Sequence, residues 1–341
     1  MRTLLTGASG FIGSHVAAEL RRAGAEVRAF CRSEPPAEAA VADWQAGDIR
    51  EPDLLRRAME GCQAVVHTAA LYSYAHSDGP RMESVNVEGT HNVLEAAVRC
   101  GVGRVLCTSS SATCGPVPGR PATEEDSPPD WELRVPYKRT KLAAERLALE
   151  AADQGLEVVC VNPTTVVGSG DRQPTPSGKM VKDVVEGRIV GYLNGAGLNV
   201  VSVEDVAGGH RLALEHGRSG ERYILGSENL GLLEAFTVAA RAAGVHPPRV
   251  AVPWRVAYAA ALAAHAVGPL LRREPRLLVL DEVRLARLPL FFSSDKAQAE
   301  LGYSPRPAAE ALTAAAGWFA GSLPRPQVLR PRATTTSAGS G

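Results

Sequence analysis

The sequence predicts an α/β fold, a doubly wound parallel sheet with a smaller C-terminal unit, and three observations carry that reading. The chain opens on MRTLLTGASGFIG, where a short apolar strand, glycines at every third position (Gly7, Gly10, Gly13) and an amphipathic helix follow one another. The run AVVHTAA at 64–70 is almost wholly apolar, as expected of a parallel strand buried on both faces. Strand-like and helix-like stretches then alternate through about residue 226.

Composition narrows the class. A chain of 341 residues can bury a sizeable core as one large unit or two modest ones. Lys plus Arg and Asp plus Glu number 37 each, so no overall field favours nucleic acid. Cys31, Cys62, Cys100, Cys107, Cys114 and Cys160 form no C-x-x-C pair and read as reduced core residues of a cytoplasmic protein, with no metal site expected. No signal peptide is expected, because the first strand begins at residue 3. The most apolar run, Val256 to Leu271, is largely alanine and holds His265, Gly268 and Pro269. A spanning helix needs about 20 strongly apolar residues, so the run predicts a buried helix and no transmembrane segment.

Taken in order, Thr3 to Leu5 is a buried strand and Phe11 onward a helix. Glycines between them let backbone approach a ligand without a Cβ in the way. Free N–H groups and the positive end of the helix dipole then point toward a pyrophosphate. Ser9, Phe11 and Ile12 complete the expected contact surface. Ser14 to Ala23 continues the helix and Gly24 closes it. Glu26 to Cys31 is the next strand, and the residue about 20 positions beyond the glycines meets the adenosine ribose. A carboxylate there would favour NAD. This chain reads Phe30-Cys31-Arg32-Ser33, and the Arg32 guanidinium suits a 2′-phosphate, so NADP(H) is preferred and NAD(H) remains open. The other reading of Arg32 is a solvated arginine at a strand end.

Trp44 to Asp48 with Ile49 is a strand end from which Asp48 reaches the adenine edge, and Asp53 to Gly61 is a helix. The 64–70 strand ends in Thr68, Ala69 and Ala70, whose small side chains leave room for a cofactor; His67 inside it reads as structural. Asn86 to Arg99 is a helix. Val102 to Cys107 is a strand leading into Thr108-Ser109-Ser110-Ser111, and 115–136 is long enough to be a substrate-side loop.

Tyr137 to Gln154 is a helix on which Tyr137 and Lys141, four apart, share a face. A neighbouring ammonium favours the phenolate and draws a tyrosine from its usual pKa near 10 toward working pH. Such a tyrosine exchanges a proton with a carbinol oxygen while hydride moves at the carbon. Leu156 to Val161 is a strand ending in Asn162-Pro163-Thr164-Thr165, and Gly168 to Gly178 a loop. Asn199 to Val203 and Arg222 to Leu225 are strands, Glu204 to Glu215 and Leu230 to Ala243 helices. Asp295 caps a last helix through Leu301. Residues 324–341 have the composition of a disordered tail.

Together T-G-A-S-G-F-I-G, V-H-T-A-A, N-V-E-G-T, T-S-S-S-A-T, Y-K-R-T-K and N-P-T-T-V-V-G resemble the extended short-chain dehydrogenase/reductases. These include nucleotide-sugar epimerases and dehydratases, dihydroflavonol reductases and 3β-hydroxysteroid dehydrogenases. P-T-P-S-G, G-E-R-Y-I-L-G and F-F-S-S-D-K-A resemble the narrower group called hopanoid-associated sugar epimerases. The resemblance implies a seven-stranded Rossmann domain over 1–168. It implies a substrate-binding part over 169–323, with 199–226 returning to the Rossmann sheet. Residue by residue it implies Gly7, Gly10 and Gly13 at the pyrophosphate, Asp48 and Ile49 at adenine, and Tyr137 as acid/base. Lys141 would hold the nicotinamide ribose, Thr108 lies beside it, and Asn86 gives support. Pro163 to Thr165 would meet the carboxamide. Counting back from Gly115 gives Ser110 as the catalytic hydroxyl, with Ser109 and Ser111 as rivals.

One departure bears on substrate: epimerases usually carry an arginine where this chain has Gly197-Leu198-Asn199. The leading expectation is therefore a ketone or aldehyde reductase acting on a small molecule. A sugar epimerase or dehydratase with tightly held NAD is the alternative, and a catalytically idle NADP sensor a third. Loops at 72–82, 115–136 and 170–200 would read the substrate, and Tyr72, Tyr74 and Pro174 hint that it is apolar. The family commonly dimerises through the helices at 86–99 and 137–154, so a homodimer is expected.

Overall fold

A computed structural model describes residues 1–39, 41–271 and 280–321. The chain runs β1 (Arg2–Thr6), α1 (Phe11–Arg22), β2 (Glu26–Cys31), β3 (Asp43–Ala46), α2 (Pro52–Met59) and β4 (Ala64–His67). It continues α3 (Gly79–Met82), α4 (Gly89–Arg99), β5 (Arg104–Thr108), α5 (Pro136–Asp153), β6 (Val158–Pro163), β7 (Thr165–Val167), α6 (Pro176–Val185) and β8 (Gly191–Leu193). Then follow β9 (Gly197–Ser202), α7 (Val203–His216), β10 (Arg222–Leu225), β11 (Glu228–Gly231), α8 (Leu232–Ala242) and β12 (Val250–Val252). The described elements end with α9 (Trp254–Leu271), α10 (Leu280–Leu285), α11 (Asp295–Leu301) and α12 (Ala308–Gly321).

Seven strands form the main sheet in the order β10-β6-β5-β4-β1-β2-β3, every neighbouring pair parallel. This is a Rossmann-type, doubly wound sheet. Side-chain parity sorts it onto two cores. Leu5, Ala29, Val66, Leu106 and Val159 face α1 and α7, whereas Leu4, Phe30, Val65, Val105 and Val158 face α2, α4 and α5. The strand order turns at β1, between β2 and β4, and such sheets bind ligands beyond the carboxyl ends of the strands at that point.

After Pro163 the chain leaves this sheet. β7 pairs with β9, and β9 with β11, in a separate three-stranded sheet. Of the 199–226 stretch expected to rejoin the main sheet, only β10 does so, because β7 offers β9 an edge of its own. Val167, Val181, Val200, Phe236, Leu312 and Phe319 join this small sheet to α6, α8 and α12 in a third core.

Glu26–Cys31 and Arg222–Leu225 fall where the sequence put them, and the helix expected to end at Leu301 does so. Four expectations change. Asp295 is the first residue of α11 and does not cap it; the N-cap is Ser294. That helix is not the last, because α12 follows. The predicted Gly168–Gly178 loop ends early: the Thr175 side chain accepts from the Gly178 N–H at 3.1 Å and starts α6. The alanine-rich helix is buried on one face only. Ala257 and Ala261 pack against Val283, while Val256 is 58% and Leu262 47% exposed. The 324–341 segment lies outside the described residues.

Candidate active site

β1 ends at Thr6 and Gly7 turns the chain at φ +77°, a conformation that side chains resist. A Cβ on Gly7 would stand 2.7 Å from the Ala69 nitrogen, and one on Gly13 would stand 2.8 Å from Thr68 Oγ1 and overlap the Gly7 carbonyl. Packing alone closes both positions. Gly10 differs, since its Cβ would meet only the Gly7 carbonyl oxygen, at 3.2 Å. The end of β4 is fastened to β1 by Thr68 Oγ1, which donates to the Thr6 carbonyl at 2.7 Å, and by Ala69 N–H to Thr6 Oγ1 at 3.3 Å. The glycine cradle therefore opens at Gly10, at the N-terminus of α1, where the first N–H groups lack intrahelical partners.

Ser110 follows β5 and caps a short turn, its Oγ accepting from Ala112 N–H at 3.2 Å. Tyr137, at the start of α5, is its neighbour in the cavity wall. Burial pushes the Tyr137 phenol above its ordinary range; Ser110 opposes that and Tyr74 adds to it. The Lys141 ammonium donates to the Thr108 carbonyl at 2.7 Å, and burial lowers its own pKa against the pull of Glu145. The Tyr72 ring lies 4.3 Å from the Tyr137 ring, with Tyr74 edge-on at 6.2 Å. Ser109 is 8% exposed, and its Oγ has no partner among the described residues.

Other predicted residues fall into two groups. Gly7, Gly10, Phe11, Ile12, Gly13, Thr68, Ala70, Thr108, Pro163 and Thr165 line one cavity with Ser110, Tyr137 and Lys141. Asn86 stands behind the wall. Its Oδ1 accepts from Leu71 N–H at 2.7 Å, and its Nδ2 donates to the Leu71 carbonyl at 3.0 Å and to Thr140 at 3.2 Å. Its place in a π-helical stretch, Glu83–Glu88, aims it there, so it supports the wall and is not part of it. Ser9 stands near the Cys31 thiol, which donates to the Ser33 carbonyl at 3.0 Å. Arg32, Asp48 and Ile49 lie off the cavity wall. Asp48 chelates Arg50 at 2.9 and 2.8 Å, which with Arg32 nearby holds its carboxyl below the usual range, and Ile49 is buried. Exposed Arg32 has no ion pair among the described residues. His67 sits between Thr6 (2.7 Å) and Thr90 (3.0 Å), and burial lowers its pKa to about 3.

The cavity measures about 1580 Å³. Beyond the tyrosines its wall is mostly apolar, with Ile189, Val190, Leu193, Leu198, Leu232 and Phe236, and the ion-paired Lys179, Asp183 and Arg188 stand along one side. Small-molecule sites are usually roughly 300–1,000 Å³, so the space suits a dinucleotide together with a bulky second ligand. The glycine cradle and the orphan Ser109 hydroxyl fit such a cofactor. Among the described residues no acid, His and Cys cluster could hold a metal.

Sequence reasoning missed the polar layer beneath Ser110, formed by Thr113, Glu145, Asn162 and Arg222. Its one legible signal is Glu145, which extends the Tyr137 and Lys141 spacing by another four residues.

A profile of the NAD dependent epimerase/dehydratase family matches residues 3–226. A putative dihydroflavonol 4-reductase of Synechocystis sp. is 35% identical over 323 residues, 92% of this chain and 93% of its own. Sterol demethylase protein B of Methylococcus capsulatus is 32% identical over 326 residues, 94% of this chain and 98% of its own. The crystal structure of gox2253 is 39% identical with a TM-score of 0.82, over 94% of this chain and 98% of that one. Thermus thermophilus UDP-glucose 4-epimerase, in complex with NAD, is 26% identical with a TM-score of 0.75, over 95% of this chain and all (100%) of its own.

Proposed function

Because the chain belongs to the NAD-dependent epimerase/dehydratase family and is an oxidoreductase enzyme of the extended short-chain type, we propose that it reduces a ketone or aldehyde, or oxidises the matching alcohol. One observation carries the reading: Ser110, Tyr137 and Lys141 line one large, mostly apolar cavity together with the glycine cradle. A nicotinamide held there supplies or takes up a hydride. Tyr137 gives its proton to the substrate oxygen, and Ser110 hydrogen-bonds the same oxygen. Lys141 holds the nicotinamide ribose. Gly7, Ser9, Gly10, Phe11, Ile12 and Gly13 hold the pyrophosphate, and Asp48 with Ile49 holds adenine. The Tyr72 and Tyr74 rings, packed tilted and edge-on against Tyr137, keep water from the reacting oxygen. The apolar wall selects a bulky apolar substrate.

NADP(H) is the preferred cofactor in this reading, because exposed Arg32 offers an unpaired guanidinium beyond β2. Arg32→Ala should weaken NADPH binding by about tenfold or more, the worth of one charge-assisted contact, and leave NADH nearly unchanged. Equal losses for both in fluorescence titrations reduce the arginine to a surface charge.

Similarity to UDP-glucose 4-epimerase favours a second reading, an internal redox cycle on a nucleotide sugar. Residues 197–199 argue against it. The Phe291 ring fills the space beside Gly197, and buried Asn199 is spent on Ser227 N–H (3.0 Å) and the Phe292 carbonyl (3.1 Å), so these three positions offer a diphosphate no charge; the cavity's Lys179 and Arg188 are both paired with Asp183. Incubation of purified protein with NADPH and a panel of bulky carbonyls should consume NADPH. No consumption with any substrate, together with NAD released on denaturation, favours the epimerase.

We place the protein in the cytoplasm as a homodimer. All six cysteines are free, which fits a reducing compartment. Among the described residues no helix is long and apolar enough to cross a membrane.

A further inference from the structure

Beneath the Ser110 turn lies a carboxylate that the chemistry above does not use. Glu145 follows Lys141 by four residues on α5, as Lys141 follows Tyr137, so the three share one stripe. Its side chain is 1% exposed. Oε1 accepts from Arg222 at 2.7 Å; Oε2 accepts from Thr113 Oγ1 at 2.9 Å and Asn162 Nδ2 at 2.6 Å. Both of those groups also lie within reach of the Ser110 carbonyl, Thr113 Oγ1 at 2.8 Å and Asn162 Nδ2 at 3.2 Å, and the single Thr113 hydroxyl proton is shared between the two acceptors. A buried carboxylate persists only when paired and hydrogen-bonded, and here the partners that satisfy it are the groups that hold the serine.

We infer that Glu145 is a positioning residue, which fixes the Ser110 turn through Thr113 and Asn162 and supplies the counter-charge to Lys141. The inference rests on the reading that Tyr137 and Lys141 serve a dinucleotide-dependent reaction. Other titratable groups face the Lys141–Glu145 pair from every side. Cys107 on β5 and Cys114 after it are pushed up to about 12 by burial, and Cys160 on β6 is also raised, so the thiols are neutral. His67 on β4 is neutral as well. Buried Glu124 is raised, chiefly by desolvation. Arg222 on β10 is the neighbouring cation. Glu145 is the first of the groups that favour the charged form of Lys141.

The test measures NADPH affinity by fluorescence from neutral to alkaline pH, a readout independent of any carbonyl substrate. Glu145→Gln should move the alkaline loss of affinity down by about one pH unit, the scale of a nearby charge. Arg222→Gln breaks the same ion pair but keeps the anion, and should move that loss upward or leave it in place. Thr113→Val should keep the binding profile and lower kcat about tenfold with KM unchanged, the signature of a lost positioning contact. An unshifted profile in Glu145→Gln overturns the inference, and so does a downward shift in Arg222→Gln. If Glu145→Gln does not fold, Arg222→Gln and Thr113→Val still decide: an unchanged kcat in Thr113→Val overturns it. Wild-type protein that binds neither NADPH nor NADH overturns the functional reading first and this inference with it.

Discussion

The Tyr137 phenol is set by its surroundings to be a donor. Burial raises its pKa, so the proton stays on the oxygen at neutral pH, and carbonyl reduction has its acid ready. The reverse reaction needs the phenolate and gains as pH rises. Alcohol oxidation should therefore climb steadily into the alkaline range, whereas reduction stays level, as initial rates in both directions would show. Tyr137→Phe should cost at least about a hundredfold in kcat, the lower range for a general acid. Unchanged turnover removes the assignment. The sequence exposed Tyr137 and Lys141 because four-residue spacing on a helix is a local pattern. It did not expose where the lysine points, because that depends on the Thr108 carbonyl, contributed from another strand.

Acid should act on two other buried residues. His67 and His210 are neutral in the fold, with burial lowering their pKa values to about 3 and about 4 from the usual 6.5. Between those values and 6.5 the unfolded chain binds protons that the folded chain refuses, so stability present above 6.5 is lost as pH falls. Buried Glu124, Glu132 and Asp171, whose pKa values desolvation raises, work the other way nearer the carboxylate range. The melting temperature should therefore fall between about pH 7 and pH 5, where only histidines of ordinary pKa titrate. The fall should be shallower in a His67→Gln, His210→Gln double variant.

Among the elements, the glycine turn separates folding from binding. Gly7→Ala sets a side chain at positive φ against Ala69 and should destabilise by about 1–3 kcal/mol, as a denaturant midpoint would report. Gly10→Ala has an ordinary φ of −82° and a single tight contact, the Gly7 carbonyl oxygen at 3.2 Å, so it should cost less stability than Gly7→Ala yet lose dinucleotide affinity. Equal destabilisation by both would make the turn purely architectural.

The main-sheet strands were legible because burial on both faces leaves continuous apolar runs such as Ala64–His67. β7, β8 and β12 were not. Three residues carry no period, and these strands exist only because distant segments bring them together. α12 was missed for another reason. AAEALTAAAGWFAG is rich in alanine, which marks no face until Leu312 and Phe319 find α6 and α8.

For the whole molecule, the outer faces of α4 and α5 carry the proposed dimer. Val98 on α4 is 63% exposed. Val98→Arg should convert a dimer to a monomer in light scattering without lowering the stability of the protomer by more than about 0.5 kcal/mol, as expected at a surface site. A wild type that is already monomeric removes the assignment. Substrate choice was least legible in the sequence, because the apolar wall draws Val190, Leu232, Val252 and Leu290 from four separate stretches.

That wall also has a place in time. β10 completes the main sheet at Leu225, whereas Leu232, Phe236, Val252, Leu290 and Phe292 all come later in the chain. A chain emerging from the ribosome holds its glycine cradle, its Tyr137 stripe and the 189–198 side of the wall before Leu232, Phe236, Val252, Leu290 and Phe292 exist. A ligand that binds the folded form stabilises it by mass action, so a dinucleotide can steady the growing chain before there is a complete pocket for substrate. The catalytic half is built first, and the far side of the wall closes only with the end of the chain.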